Sequence, residues 1–132
     1  MFTLDSRLEK DCFLVKELGL SKLLLMNDSN YFWLILVPKK ENIVELIDLE
    51  FEDQVTLLKE VNQLSNILKN EFSCDKINVA SLGNVVKQLH MHVIGRFNDD
   101  ISFPNPVWGS CEAKSYEKDA VSKLINKITN LI

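Results

Sequence analysis

A chain of 132 residues, 46% hydrophobic and 26% charged, has the make-up of a folded globular protein and suits one hydrophobic core spanning 1–132 rather than two. No apolar run approaches the ~20 residues that cross a bilayer, which excludes a membrane-spanning helix from the reading. A net charge of −4 argues against a nucleic-acid partner, which needs a basic face, but leaves room for a small anionic ligand in a local pocket.

From the N-terminus, Met-Phe-Thr-Leu-Asp-Ser-Arg has neither the basic start nor the apolar middle of a secretory signal, which predicts a cytoplasmic protein. Lys22 to Met26 and Phe32 to Val37 are dense in Leu, Ile and aromatics, and Asn27-Asp28-Ser29-Asn30 between them are turn formers, so a hairpin is expected. Pro38 ends the second strand, and Ile43 to Leu49 leads into Glu50-Phe51-Glu52-Asp53, whose acids suit a helix N-terminus. The helix that follows should bury Val55, Leu58, Val61, Leu64, Leu68 and Phe72, with Lys59, Glu60, Asn62 and Gln63 on the opposite face. Lys76 to Ser81 and Leu89 to Arg96 read as a second hairpin joined through Leu82-Gly83-Asn84. After the irregular stretch from Asn98 to Gly109, a helix from about Ser115 should bury Ala120, Val121, Leu124, Ile128 and Leu131. Cys12, Cys74 and Cys111 are odd in number and widely spaced, as reduced structural thiols are. The order strands, helix, strands, helix, without a repeat, predicts an α+β antiparallel sheet.

Both histidines of the chain lie in Gln88-Leu89-His90-Met91-His92-Val93-Ile94-Gly95-Arg96. Strand alternation would place Gln88, His90 and His92 on one face and turn Leu89, Met91 and Val93 into apolar packing. Imidazole is the side chain whose ordinary pKa lies near neutrality, so one ring can attack as a neutral nucleophile while its neighbour holds or passes a proton. Nucleotidyl transfer requires those two roles. For a metal site the ligand count is short, since only Asp99 and Asp100 could reach from a loop, and no metal or other cofactor is expected.

The Gln88-x-His90-x-His92-Val93-Ile94 segment resembles the histidine triad motif, His-x-His-x-His followed by two apolar residues. Lys22 to Lys39 is similar to that family's early hairpin ending in Pro-Lys, and Gly83-Asn84-Val85-Val86 is similar to its phosphate-approaching segment. The likeness covers roughly residues 20–97, and the tail from 98 to 132, with Phe103-Pro104-Asn105-Pro106-Val107-Trp108-Gly109, resembles a bacterial branch of short members. The resemblance implies a sheet of about five strands, one long central helix and a C-terminal helix. It also implies a hydrolase or transferase acting on nucleoside phosphates such as a diadenosine polyphosphate, a nucleoside phosphoramidate or an adenylated small molecule. His90 matches the nucleophile that forms a nucleotidyl-imidazole intermediate, and His92 the residue that helps the leaving group depart. Asn27 matches the group that bonds the ribose hydroxyls, Asn84 and the Val85 amide those that approach the phosphates, and a homodimer is implied as well.

Two positions depart from the pattern. Gln88 replaces the first triad histidine and can hydrogen-bond but not titrate, and Trp33 stands where many members carry a fourth, supporting histidine. A nucleotide-binding or regulatory module with weak turnover is therefore the competing expectation. Asn27 and Asn84 also fit plain turn roles, Trp33 and Trp108 plain packing, and Lys39-Lys40 a solvated strand end.

Overall fold

The densest apolar stretches of the chain become the middle of a five-stranded antiparallel sheet in the computed structural model, which describes residues 1–132. Its elements are α1 (Ser6–Asp11), β1 (Cys12–Glu17), β2 (Ser21–Met26), β3 (Phe32–Pro38), α2 (Phe51–Asn70), β4 (Lys76–Ala80), β5 (Met91–Arg96) and α3 (Lys118–Leu131), with a 3-10 turn at Leu46–Asp48. The spatial order is β1-β2-β3-β5-β4, so β5 lies between β3 and β4 and is hydrogen-bonded on both edges. The α+β architecture and both hairpin pairings expected from the sequence are present.

Both faces of the sheet are covered, which is why its strands read as nearly unbroken apolar runs instead of a clean alternation. On one face Leu23, Leu25, Leu34, Leu36 and Val93 pack with Leu57, Val61, Leu64 and Leu68 of α2 and with Val121 and Ile128 of α3. Each such side chain, removed from water, contributes roughly 1.5–3 kcal/mol. On the other face Leu24, Trp33, Ile35, Val37 and Ile94 are covered by Leu8 of α1 and by Val107. Gly95 is the point of closest approach, because a Cβ there would run into Cys74 Sγ and lie 3.3 Å from Leu68 Cδ2.

The structure corrects several local expectations. In α2 the buried set is Leu57, Glu60, Val61, Leu64, Ile67 and Leu68, whereas Val55 and Leu58 are exposed. Of the apolar side chains in the first two turns only Leu57 is turned inward. Glu60, expected on the solvent face, instead accepts a hydrogen bond from the Leu20 amide at 3.1 Å and ties the β1–β2 turn to the helix. Helix α3 begins at Lys118, and Ala120 is exposed while Val121 and Ile128 are buried. Strand β5 begins at Met91, so Leu89 and His90 precede it, and β4 ends at Ala80. Two elements, α1 and β1, were not anticipated. A six-residue helix is too short for a periodic signal, and β1 is an edge strand whose pairing with β2 is interrupted by a bulge between Leu14 and Lys16.

Candidate functional site

The chain approaches β5 through a turn at Gly83, whose φ of +67° favours a residue without a Cβ. The Leu89 amide then donates to the Ile43 carbonyl at 2.9 Å, which anchors the last residues before the strand. Leu89 and Val93 enter the helix-covered core, Met91 packs against it, and His90 and His92 point to the opposite face, as alternation requires. The two rings have their centroids 4.9 Å apart at an interplanar angle of 69°, and they are only 7% and 4% exposed.

The hydrogen-bond partners assign a different tautomer to each ring. His90 Nδ1 lies 2.7 Å from the Gln88 carbonyl oxygen, which can only accept, so His90 carries its proton on Nδ1 and leaves Nε2 with a free lone pair. His92 Nδ1 lies 2.9 Å from Trp33 Nε1, which can only donate, so His92 accepts there and carries its proton on Nε2. Burial, with a smaller contribution from His90, pushes the His92 pKa down to about 3, so this ring is neutral at physiological pH. The pair thus offers one nucleophilic imidazole nitrogen and one neutral N–H donor.

These rings line a cavity of about 220 Å³ with Arg7, Leu8 and Asp11 of α1, Met26 of β2, Trp33 of β3, residues 82–86 before β5, and Trp108. Trp108 stands edge-on to both His92 and Trp33, with centroid distances of 4.9 and 5.6 Å. His90 also borders a second cavity, of about 310 Å³, formed with Val44 to Ile47, Ser81 to Gly83, Gln88 and Leu89. The imidazole therefore sits between two recesses.

Of the residues singled out in the sequence, His90, His92, Asn84 and Val85 meet in the smaller cavity. Gln88 does not join them. Its side chain is turned to the N-terminal segment, where Oε1 accepts from the Asp5 amide at 2.8 Å and Nε2 donates to the Thr3 carbonyl at 2.9 Å. Its backbone carbonyl is what reaches His90. The Gln88 side chain thereby fastens the start of α1, whose first turn is capped by Asp5, and so holds Arg7 and Asp11 at the cavity. Asn27 also lies outside. Leu24 and Met26 face the cavity side of β2, so the next residue falls to the other side, and Asn27 Oδ1 accepts from the Tyr116 amide at 2.9 Å. Asp28, buried beside it, accepts from the amides of Asn30 and Lys114, so this turn is docked to the C-terminal tail. Asp100 is paired with the buried Arg96 at 2.7 Å instead of reaching the histidines, and Arg96 also holds the Asn105 carbonyl at 2.8 Å. The ion pair fixes the loop that carries Trp108 toward the site.

Trp33, which the resemblance puts where many members carry a supporting histidine, does stand against His92, and Trp108, expected to be plain packing, stands against it too. The signal for Trp33 was available in the strand parity, since Ile35 pairs with His92 and Trp33 lies two residues away on the same face of β3. Arg7 and Asp11 had no comparable signal, because only the folding of α1 against the sheet brings them in.

The family described as HIT domain matches residues 7–99 of the chain. Among solved structures, a histidine triad protein from Bradyrhizobium japonicum is 40% identical with a TM-score of 0.96, covering 99% of this chain and 98% of its own. A histidine triad protein from Sinorhizobium meliloti is likewise 40% identical at a TM-score of 0.96, with 99% and 97% covered. A third, from Marinobacter aquaeolei, has the same identity and score, with 99% and 96% covered. No curated protein matches the chain.

Proposed function

The chain belongs to the HIT domain family, and from that premise we propose that it binds a nucleoside 5′-phosphate derivative and transfers the nucleotidyl group to water or another acceptor through His90. The observation that carries this reading is the pair of opposed tautomers, one ring with a free Nε2 and its neighbour with an N–H to offer. In the first step His90 Nε2 attacks the α-phosphorus, the N–P bond forms and the bond to the leaving group breaks with its electron pair. The positive charge that develops on the imidazole is met by the Gln88 carbonyl, which accepts from Nδ1. Water then attacks the phosphorus, the electron pair returns to Nε2, the water proton passes to solvent and the nucleoside monophosphate leaves. Splitting one hard displacement into two easier ones is the gain of covalent catalysis.

Around this chemistry the Val85 amide and Asn84 approach the phosphates, and Arg7 supplies a positive charge in the cavity. We read residues 1–132 as one cytoplasmic domain acting as a homodimer. In support of the dimer, Phe51, Val55 and Leu58 form an exposed apolar stripe on α2, and β4 leaves one edge of the sheet unpaired. One observation favours the competing reading of a nucleotide-binding module, namely that the Gln88 side chain is occupied by the N-terminal segment and does not reach the histidines.

Incubation with a diadenosine polyphosphate, with and without chelator, separates the two. Chelator-insensitive release of AMP, with an adenylyl adduct in the intact mass, is expected from the unaltered protein, and His90→Ala should lower the rate on the order of a thousandfold or more. Binding of nucleotide without release or adduct would leave the module reading.

A further inference from the structure

Trp33 fixes where His92 carries its proton. The indole N–H can only donate, and it occupies His92 Nδ1 at 2.9 Å, so the single proton on that ring stays on Nε2. A neutral imidazole is a good hydrogen-bond donor but a poor acid. To act as an acid, His92 would have to carry two protons, and the second position is already filled by the Trp33 donor. The indole is itself fixed, being buried and packed edge-on against Tyr31 and Trp108. Few other groups act on His92. The titratable and charged side chains that share its cavity are His90, ahead of β5, and Arg7 and Asp11 of α1, while Met26 of β2, Trp33 of β3 and Trp108 of the tail carry no charge. His90 cannot deliver the proton either, since its Nδ1–H is given to the Gln88 carbonyl and its Nε2 is the attacking atom.

Resting on the nucleotidyl-transfer reading above, we infer that Trp33 is a positioning residue that locks His92 as a neutral donor, restricting the enzyme to nucleoside phosphoanhydrides, whose leaving groups depart as stable oxyanions. When His90 Nε2 bonds to the α-phosphorus of such a substrate, the P–O bond breaks and its electron pair stays on the departing phosphate oxygen. No proton is needed, and the Nε2–H of His92 stabilises that oxyanion through a charge-assisted hydrogen bond. Cleavage of a P–N bond in a phosphoramidate differs, because the amine must take up a proton as it leaves. General-acid assistance of that kind is worth about 10²–10⁴-fold.

The test compares diadenosine tetraphosphate with adenosine 5′-phosphoramidate as substrates for the whole protein and for Trp33→Phe, which keeps an aromatic ring but removes the donor. AMP release from the anhydride should exceed that from the phosphoramidate by about 10²-fold or more in the unaltered protein. In Trp33→Phe the ratio should narrow by about tenfold or more, with phosphoramidate cleavage rising as the pH is lowered through neutrality. Imidazole ¹⁵N NMR gives a readout that does not depend on turnover. His92 should appear as the Nε2–H tautomer alone between pH 8 and 5 (roughly, the window around an ordinary imidazole), and as a mixture of Nδ1–H and Nε2–H forms in Trp33→Phe, where Nδ1 has lost its donor. Comparable rates on the two substrates, or a His92 that holds the same single tautomer with and without the indole, would overturn the inference while leaving nucleotidyl transfer intact. Absence of AMP from both substrates would overturn the nucleotidyl-transfer reading, and this inference with it.

Discussion

Two histidines separated by a single residue are different reagents once their neighbours are counted. A carbonyl oxygen holds the His90 proton on Nδ1 and leaves Nε2 free, an indole N–H holds the His92 proton on Nε2, and burial keeps His92 neutral. The same burial links His92 to stability. Its pKa falls from the ordinary 6.5 to about 3, so below pH 6.5 the unfolded chain takes up a proton at this ring and the folded protein does not. The sign follows: stability is lost as pH falls, by up to roughly 1.4 kcal/mol per pH unit, until the folded ring also charges. Urea denaturation at pH 7 and pH 5 should therefore show a clear loss for the unaltered protein and a smaller one for His92→Gln. Identical losses would mean that the ring is already protonated in the fold.

At the scale of elements, β5 is the strand on which fold and site depend together. It is paired on both sides, it supplies Val93 to one core and Ile94 to the other, and its residue without a side chain makes room for Cys74 and Leu68. Gly95→Ala should overfill that contact and cost about 1–3 kcal/mol. A drop in the urea midpoint with an unchanged slope is the expected signature, and an unchanged midpoint would mean that the end of α2 yields easily. The sequence made β2, β3, β4 and β5 legible because they are dense in β-branched and aliphatic residues, and it placed α2 within a residue or so. It misassigned the first turns of α2, because Val55 and Leu58 keep the helical spacing of Val61 and Leu64 although both are exposed.

For the whole molecule, the exposed apolar stripe on α2 is the most informative surface. Phe51 is 75% exposed, Leu58 is 59% exposed, and both lie on a helix packed against the edge of the sheet at β4. An apolar row of this kind, together with an open strand edge, is suited to a second copy of the chain. Sedimentation should give a dimer for the unaltered protein and a monomer for Phe51→Glu combined with Leu58→Glu. A monomer from the outset would remove the homodimer from the functional reading. The tail beyond Arg96 acts at this scale too, since the Arg96–Asp100 pair and the docking of residues 112–116 on the β2–β3 turn carry Trp108 across the sheet to His92.

The sequence by itself determined the class of fold, the two central hairpins, the long helix and the His-x-His strand, because each is written in local periodicity or in a contiguous motif. Alternation alone was enough to put His90 and His92 on one face and Met91 on the other. Only the tertiary structure decided which groups meet those histidines. Gln88 and Asn27 sit close to the motif or to its resemblance, yet hydrogen bonds to distant segments draw them away, while Trp33, Trp108, Arg7 and Asp11 arrive from strands, tail and an unforeseen helix. The physical reason is one of range. Period and propensity act over a few residues, whereas the tautomer of a buried imidazole is set by whichever donor or acceptor the packed fold brings within 3 Å of it, here Trp33, 59 residues from His92.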